Sequence, residues 1–392
     1  MKVFVIAGEV SGDKLGQAVM AGLKELAPNV TFDGVGGPLM QAEGLVSRFD
    51  MTELSLMGLA EIVPKYFHLK RRIAEMARAV IDTGPDILLT IDAPDFCLRV
   101  AKLVKAGSNI RTVHYVAPTV WAWRPGRAAK MARYIDHVLA LFPFEPPYMQ
   151  AAGMDCDFVG HPVVTDPVAT NAGALAFRQA RDIGDAPLIL ALPGSRRGEV
   201  SRLADRFGAA LRLVLDAVPL ARIVVPCAGP VEGLVRDMTA GWPGAPILIA
   251  PSDLSEKRAA FKAADVALAA SGTVSLELAA NGTPMVIAYD MAWASRVIIS
   301  RMLRVDTVTL VNLVSDTRVI PEFIGAKCQP GPIAKAVLDV LANPMAQRSA
   351  MALTMQRLGQ GAEPPGLRAA RVVVSLAKSG PVGGSGASGG DI

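Results

Sequence analysis

Met1–Val19 reads MKVFVIAGEVSGDKLGQAV, and this stretch decides the fold class. A β-branched apolar run, Val3 to Ala7, stops at a turn carrying Gly8, Glu9, Ser11, Gly12 and Asp13. A helix-spaced pattern follows over Gly12–Leu26. Strand, polar turn and helix form the repeating unit of a parallel sheet covered by helices. The unit recurs along the chain. Further apolar runs are Ile87–Ile91, Thr112–Tyr115, His137–Leu141, Leu188–Leu192, Ile223–Pro226, Ile247–Ala250, Val266–Ala269 and Met285–Ala288. Helix-length segments such as Glu199–Ala217 and Ser275–Asn281 lie between them. The alternation runs twice, broken by VGHPVVTDPVATNAGA from Val159. The expectation is an α/β protein of two Rossmann-like, doubly wound domains facing across a cleft, 1–165 and 185–345, joined near 160–185. A helical segment, 346–378, and a flexible Gly/Ser-rich tail, 379–392, would complete it.

Composition agrees with that reading. Of 392 residues, 51% are hydrophobic and 19% charged, enough apolar surface for large cores. A net charge of +4 is small for this length and predicts no nucleic-acid partner. The four cysteines, Cys97, Cys156, Cys227 and Cys328, form no CxxC, which points to a reduced compartment and away from zinc. The N-terminus lacks the form of a signal peptide, and no apolar run reaches the roughly 18 residues of a membrane span.

In doubly wound sheets ligands sit at the carboxyl ends of strands, so each loop after a strand is a candidate. The opening loop is neither GxGxxG nor a GK[ST] loop. Glu9 and Asp13 suit the positive end of a helix dipole but would repel a diphosphate. They and Ser11 suit a polar sugar or amine; the plain alternative is a tight turn with Ser11 or Asp13 as N-cap. In TIDAPDF, Asp95 reads as the helix cap and Asp92 as the general base. In HYVAPTVWAWRPGR, Trp121 and Trp123 beside Arg124, Arg127, Lys130 and Arg133 would pack over a sugar or acyl chain, or else anchor the loop. In LALPGSRRGEV, Gly194 and Ser195 offer backbone N–H groups, and Arg196 and Arg197 add charge at a helix start, a combination suited to phosphate. Ser271, Gly272 and Thr273 open another helix, and Glu277 one turn on could accept both ribose hydroxyls. Asp155-Cys156-Asp157 spells DxD, but its position reads as a surface turn, and no metal site is expected.

Together AGEVSGD, VGG…M at Val35–Met40, LSLMGLAEIV, IDAPDF, HYVAPTVWAWR, PFE…VGHP, LPGSRRGEV and SGTVSLE…PMVIAY resemble the lipid-A-disaccharide synthase family, in its order and over residues 1 to about 325. The resemblance implies a GT-B fold and an inverting, metal-independent glycosyltransferase without cofactor. It implies UDP-2,3-diacylglucosamine and 2,3-diacylglucosamine 1-phosphate as substrates, and a β-1,6-linked disaccharide 1-phosphate and UDP as products. It implies a cytoplasmic enzyme peripheral on the inner membrane; a homodimer stays open. By motif, Asp92 is the base and Arg196 the UDP contact. Ser271, Gly272, Thr273 and Glu277 match the nucleotide loop, and Tyr289, Asn312 and Glu322 lie in matching segments near the same site. Three positions depart from the family pattern: Cys97 for Asn, Val311 for Pro, and Phe323-Ile324-Gly325 after PE.

Diacyl substrates lie in a bilayer. LSLMGLAEIVPKYFHLKRR places Leu56, Met57, Leu59, Ile62, Val63, Tyr66, Phe67 and Leu69 among Lys65, Lys70, Arg71 and Arg72, as an interfacial segment would, or a core helix with a solvated basic end. Two other functions fit the same loops. A UDP-sugar 2-epimerase would need no acyl acceptor, and a sugar-nucleotide sensor would need the phosphate loop but not Asp92.

Overall fold

The computed structural model describes residues 1–54, 59–124, 126–291 and 305–379, except for the side chains of 59–65. Two compact units result. One is Met1–Pro162 with the chain from Gly361 onward; the other is Val163–Gln360.

The first unit holds β1 (Lys2–Ala7), α1 (Val10–Leu26), β2 (Thr31–Val35), α2 (Pro38–Ala42), α3 (Leu59–Thr83), β3 (Ile87–Ile91), α4 (Pro94–Gly107), β4 (Arg111–Tyr115), α5 (Gly126–Met131), β5 (His137–Ala140), α6 (Pro146–Gln150) and β6 (Asp155–Phe158). Its sheet is parallel, in the order β2-β1-β3-β4-β5-β6. Val5 pairs with Leu89, and Leu89 with Val113. Val3 to Ala7 and Ile87 to Leu89 are wholly buried, as strands covered on both faces must be. Each such large aliphatic side chain contributes about 1.5–3 kcal/mol relative to exposure. From β1 the chain goes to β2 on one side and β3 on the other. The strand order therefore reverses between β1 and β3, and the loops after these two strands flank a crevice.

The second unit holds α7 (Asn171–Ala180), β7 (Leu188–Leu192), α8 (Arg197–Ala217), β8 (Arg222–Pro226), α9 (Glu232–Thr239), β9 (Ile247–Ile249), α10 (Leu254–Ala263), β10 (Val266–Ala269), α11 (Val274–Asn281), β11 (Met285–Tyr289), α12 (Leu310–Ser315), β12 (Glu322–Ile324), α13 (Pro330–Ala342) and α14 (Met345–Arg357). The parallel order β12-β11-β10-β7-β8-β9 reverses between β7 and β10. Phe207, Leu211 and Val214 of α8 and Ile333 and Val337 of α13 pack into one core on this sheet. The last described helix, α15 (Pro365–Lys378), belongs to the first unit and packs against α1, with Gly366 on the Ala18 backbone.

Three strands escaped the sequence reading: β2, β6 and β12. Asp155–Phe158, expected as a polar turn, is instead the edge strand β6, with Cys156 turned inward and Asp155 and Asp157 exposed. Charge on an edge strand guards against pairing with other chains. The expected junction 160–185 contains α7, whose N-cap Thr170 accepts the Gly173 N–H. Residues 380–392 of the expected tail lie outside the described residues.

Candidate functional site

In the first unit the crevice is built by two turns pressed together. Asp92 and Ala93 leave β3 in the left-handed region, at φ 51° and 42°. Such a conformation costs roughly 1–3 kcal/mol per residue and persists only where the surroundings enforce it. The turn carries Ala93 against the loop after β1, where a Cβ on Gly8 would lie 2.8 Å from the Ala93 Cβ. A Cβ on Gly12 would meet the Ile91 carbonyl oxygen at 3.3 Å. These glycines of AGEVSGD thus admit the Asp92 turn. Across the contact the Ser11 hydroxyl donates to Asp92 Oδ2 at 3.3 Å. Cys97, one turn into α4, is fully buried with its thiol on the Ile6 carbonyl oxygen, and burial together with the Asp92 charge pushes its pKa up.

The capping expectations need correction. The N-cap of α1 is Glu9, which is exposed and makes no side-chain cap bond; neither Ser11 nor Asp13 fills that place. Asp13 is 2% exposed, and its carboxylate accepts N–H bonds from Gly37 (2.8 Å), Leu39 (3.0 Å) and Met40 (3.0 Å). It is the anion at the start of α2 rather than a group offered to an acceptor sugar. Asp95 is not a cap either: Ala93 holds the N-cap of α4, and Asp95 lies exposed in the first turn.

Trp121 is likewise an anchor. It is 8% exposed, packs edge-on to Phe144 and donates its indole N–H to Glu145 Oε1 at 3.3 Å. Glu145 is itself buried; its Oε2 accepts the Leu141 and Phe142 N–H groups at 3.1 and 3.0 Å. Burial pushes this carboxyl up to about 7. Trp123 is half-buried and carries the exposed Arg124 guanidinium 4.4 Å above its ring. Lys130 and Arg133 line a separate cavity with Lys102 and Lys105, so the expected basic face is divided.

In the second unit a cavity of about 430 Å³ opens where the strand order reverses. Gly194, Ser195 and Arg196 line it from the loop after β7, and Ser271, Gly272 and Thr273 from the loop after β10. Glu277 of α11 and Lys257 and Phe261 of α10 complete the wall. The Lys257 ammonium donates to Glu277 Oε2 at 3.1 Å and lies 5.1 Å above the Phe261 ring. Lys257 was not singled out from sequence. Its signal is modest: it opens the helix after β9, at the carboxyl end of the same sheet.

Arg196 occupies the N-cap of α8, with its side chain 69% exposed. Its backbone and that of Ser195 are already engaged. Glu199 Oε2 accepts the Ser195 N–H at 3.2 Å and the Arg196 N–H at 3.3 Å, and Oε1 accepts from the Arg196 guanidinium at 3.1 Å. Gly194, at φ 124°, has no room for a side chain, since a Cβ would lie 2.6 Å from the Glu199 Cβ. Tyr289, half-buried at the end of β11, has its phenol pKa raised by burial and by the Glu199 charge, and lowered by Arg196 and Arg202.

Asn312 and Glu322 are corrected as direct ligand contacts. Asn312 is 1% exposed; its amide donates to Thr307 Oγ1 and the Ile320 carbonyl and accepts the Ile320 N–H. Glu322 Oε1 accepts from the Thr307 hydroxyl and the Val308 and Thr309 N–H groups. Both clamp the segment 307–322. Val311 is wholly buried in α12, and Phe323 packs on the core from β12, so these departures have ordinary packing roles.

Of the amphipathic stretch, Leu56 and Met57 lie outside the described residues, as do the side chains of Leu59, Ile62, Val63 and Lys65. Tyr66 and Phe67 are 47% and 81% exposed and touch edge to face, with exposed Lys70 and Arg71 following. Arg72 is taken up by Glu53 and Glu75. Among the described residues no helix is long and apolar enough to cross a membrane.

A family model described as lipid-A-disaccharide synthetase matches residues 3–367. A lipid-A-disaccharide synthase of Ruegeria pomeroyi is 64% identical over 95% of both chains. One of Rhodospirillum centenum is 44% identical over 95% of this chain and 94% of its own. Among solved structures, a UDP-GlcNAc 2-epimerase from Neisseria meningitidis bound to UDP-GlcNAc superposes with a TM-score of 0.60 at 13% identity, covering 97% of this chain and all (100%) of that one. MurG of Acinetobacter baumannii gives 0.53 at 16% identity over 96% and 99% of the two chains. At such identities the likeness concerns fold alone, and the fold is that of two Rossmann-like domains of GT-B type.

Proposed function

The chain belongs to the lipid-A-disaccharide synthase family, and from that premise we propose how its two crevices divide the work. The reaction transfers 2,3-diacylglucosamine from UDP-2,3-diacylglucosamine to 2,3-diacylglucosamine 1-phosphate. It yields the β-1,6-linked disaccharide 1-phosphate and UDP. Asp92 takes the proton from the acceptor 6-hydroxyl as its oxygen attacks the anomeric carbon of the donor. Attack from the face opposite the leaving diphosphate inverts that carbon. Ser11, hydrogen-bonded to Asp92, and exposed Glu9 line the same turn pair and suit the polar edge of the acceptor sugar.

The observation that carries the donor side is the cavity at the strand reversal of the second sheet, with Arg196 and Lys257 on its walls. Fixed positive groups facing a departing diphosphate stabilise charge as it develops, at about 3–4 kcal/mol for one well-placed donor. They serve the role a divalent cation serves in other transferases, so the reaction proceeds without metal. Ser271, Gly272 and Thr273 take the nucleotide from the facing loop, and Glu277 accepts the ribose hydroxyls. Tyr66, Phe67, Lys70 and Arg71 suit an anionic inner-membrane surface from which both diacyl substrates are drawn.

Incubation with both substrates in EDTA, followed by mass spectrometry, tests the reading. Disaccharide 1-phosphate and UDP in equal amounts are expected. A UDP-sugar isomer without disaccharide would favour the epimerase alternative, binding without product the sensor, and loss of turnover in EDTA would remove metal independence.

A further inference from the structure

The Ser195 and Arg196 N–H groups, on the turn that leads into α8, form an anion cradle, and the chain fills it with its own carboxylate. Glu199 lies on the wall of the nucleotide cavity, its side chain only 11% exposed, so its charge is weakly screened. The contact is built rather than incidental. Gly194 is bare where a Cβ would strike the Glu199 side chain, and the Arg196 guanidinium closes on the other carboxylate oxygen. An incoming diphosphate thus meets a resident anion holding the same donors it would use.

We propose that Glu199 is a positioning residue that also sets how loosely the loop holds UDP: it orders Ser195 and Arg196 and, by its charge, keeps the product diphosphate from binding tightly. This rests on the assignment of the diphosphate to the Gly194–Arg196 loop. The carboxylate serves two ends. It keeps the N–H groups and the guanidinium organised while the site is empty, which lowers the cost of ordering them when substrate arrives. It opposes the full negative charge of UDP more than that of UDP-sugar, whose terminal phosphate is esterified. Product therefore leaves more readily than substrate.

The test compares the full-length protein with Glu199→Gln, which keeps the size and an acceptor oxygen but removes the charge. Calorimetric titration with UDP, UMP and uridine gives the readout. Glu199→Gln should bind UDP on the order of tenfold more tightly, about 1.4 kcal/mol. UMP should gain less and uridine should not change, since it carries no phosphate. In turnover, KM for the UDP-sugar and kcat should both fall as UDP release slows, and the conservative Glu199→Asp should stay near wild type for UDP. If Glu199→Gln binds UDP equally or more weakly, the charge role is wrong. If uridine weakens together with UDP, Glu199 is only a loop brace. Arg196→Ala separates the underlying assignment: if it binds UDP as tightly as wild type, the diphosphate does not use this loop and the placement itself fails. Melting temperatures of all three variants confirm that folded proteins are being compared.

Discussion

Ser11 Oγ stands 3.3 Å from Asp92 Oδ2, joining the turn after β1 to the turn after β3 at the strand reversal of the first sheet. The pair explains why the opening loop resembles a nucleotide loop without its spacing. Its glycines receive the strained Asp92–Ala93 turn instead of phosphates. Asp92→Asn removes the base and keeps the shape of the turn. Turnover should fall by about 10²–10⁴, with UDP affinity unchanged because that ligand is assigned to the other unit. Ser11→Ala, which leaves the carboxylate in place, should cost far less. Near-normal turnover by Asp92→Asn would remove the assignment.

Asp13 should behave oppositely. Replacing it with Ala strands three N–H groups at the start of α2, of which those of Gly37 and Met40 are buried. Each buried donor left without a partner costs about 1–3 kcal/mol. A drop in urea midpoint corresponding to roughly 3 kcal/mol or more is expected, with UDP affinity retained at low temperature. An Asp13→Ala protein that unfolds like wild type yet has lost turnover would restore Asp13 as a substrate contact.

These two aspartates mark what was legible in the sequence. The long buried strands were: Ile87–Ile91, Leu188–Leu192 and Val266–Ala269 keep their expected bounds, because apolar runs closed by polar turns have few other solutions. The short or polar edge strands β2, β6 and β12 were not, since Asp33, Asp155 and Asp157 interrupt the apolar signal. At the site, residue type and position after a strand brought Arg196, Ser271, Gly272, Thr273 and Glu277 to one cavity. Partnership was invisible. Asp13, Asn312 and Glu322 look like ligand-binding groups until their backbone partners, 8 to 27 positions away, are known. Lys257 was missed for the same reason, because its partner Glu277 lies 20 positions away, whereas Glu199 has local partners and reads in sequence as an ordinary residue of a helix's first turn.

Glu145 gives the fold a pH dependence. Its carboxyl is raised from 4.5 to about 7 by burial, against three hydrogen bonds that favour the ionised form. A folded-state pKa above the unfolded one means that the folded protein holds this proton more tightly. The corresponding stability is fully present below about pH 4.5 and is lost as pH rises through 7. The full swing is about 3 kcal/mol. Urea unfolding at pH 5, 6, 7 and 8 should show this slope in wild type and a flatter one in Glu145→Gln, whatever fixed offset the substitution adds through Trp121. Parallel slopes for the two proteins would show that Glu145 is ionised throughout.

Phe67 is 81% exposed on α3 with Lys70 and Arg71 beside it, an apolar side chain that water alone would not favour in that company. Insertion into an anionic bilayer would bury the ring and bring the cations to the headgroups, each contributing about 1 kcal/mol. Phe67→Ser with Leu69→Ser should therefore abolish flotation with vesicles containing anionic phospholipid. Raising the salt should weaken flotation of the wild type, because the attraction is screened. Turnover on substrates dispersed in detergent should persist in the double variant, since neither residue has a part in the proposed proton transfer or in nucleotide binding. Flotation equal to that of wild type would mean that α3 does not meet the membrane through this face.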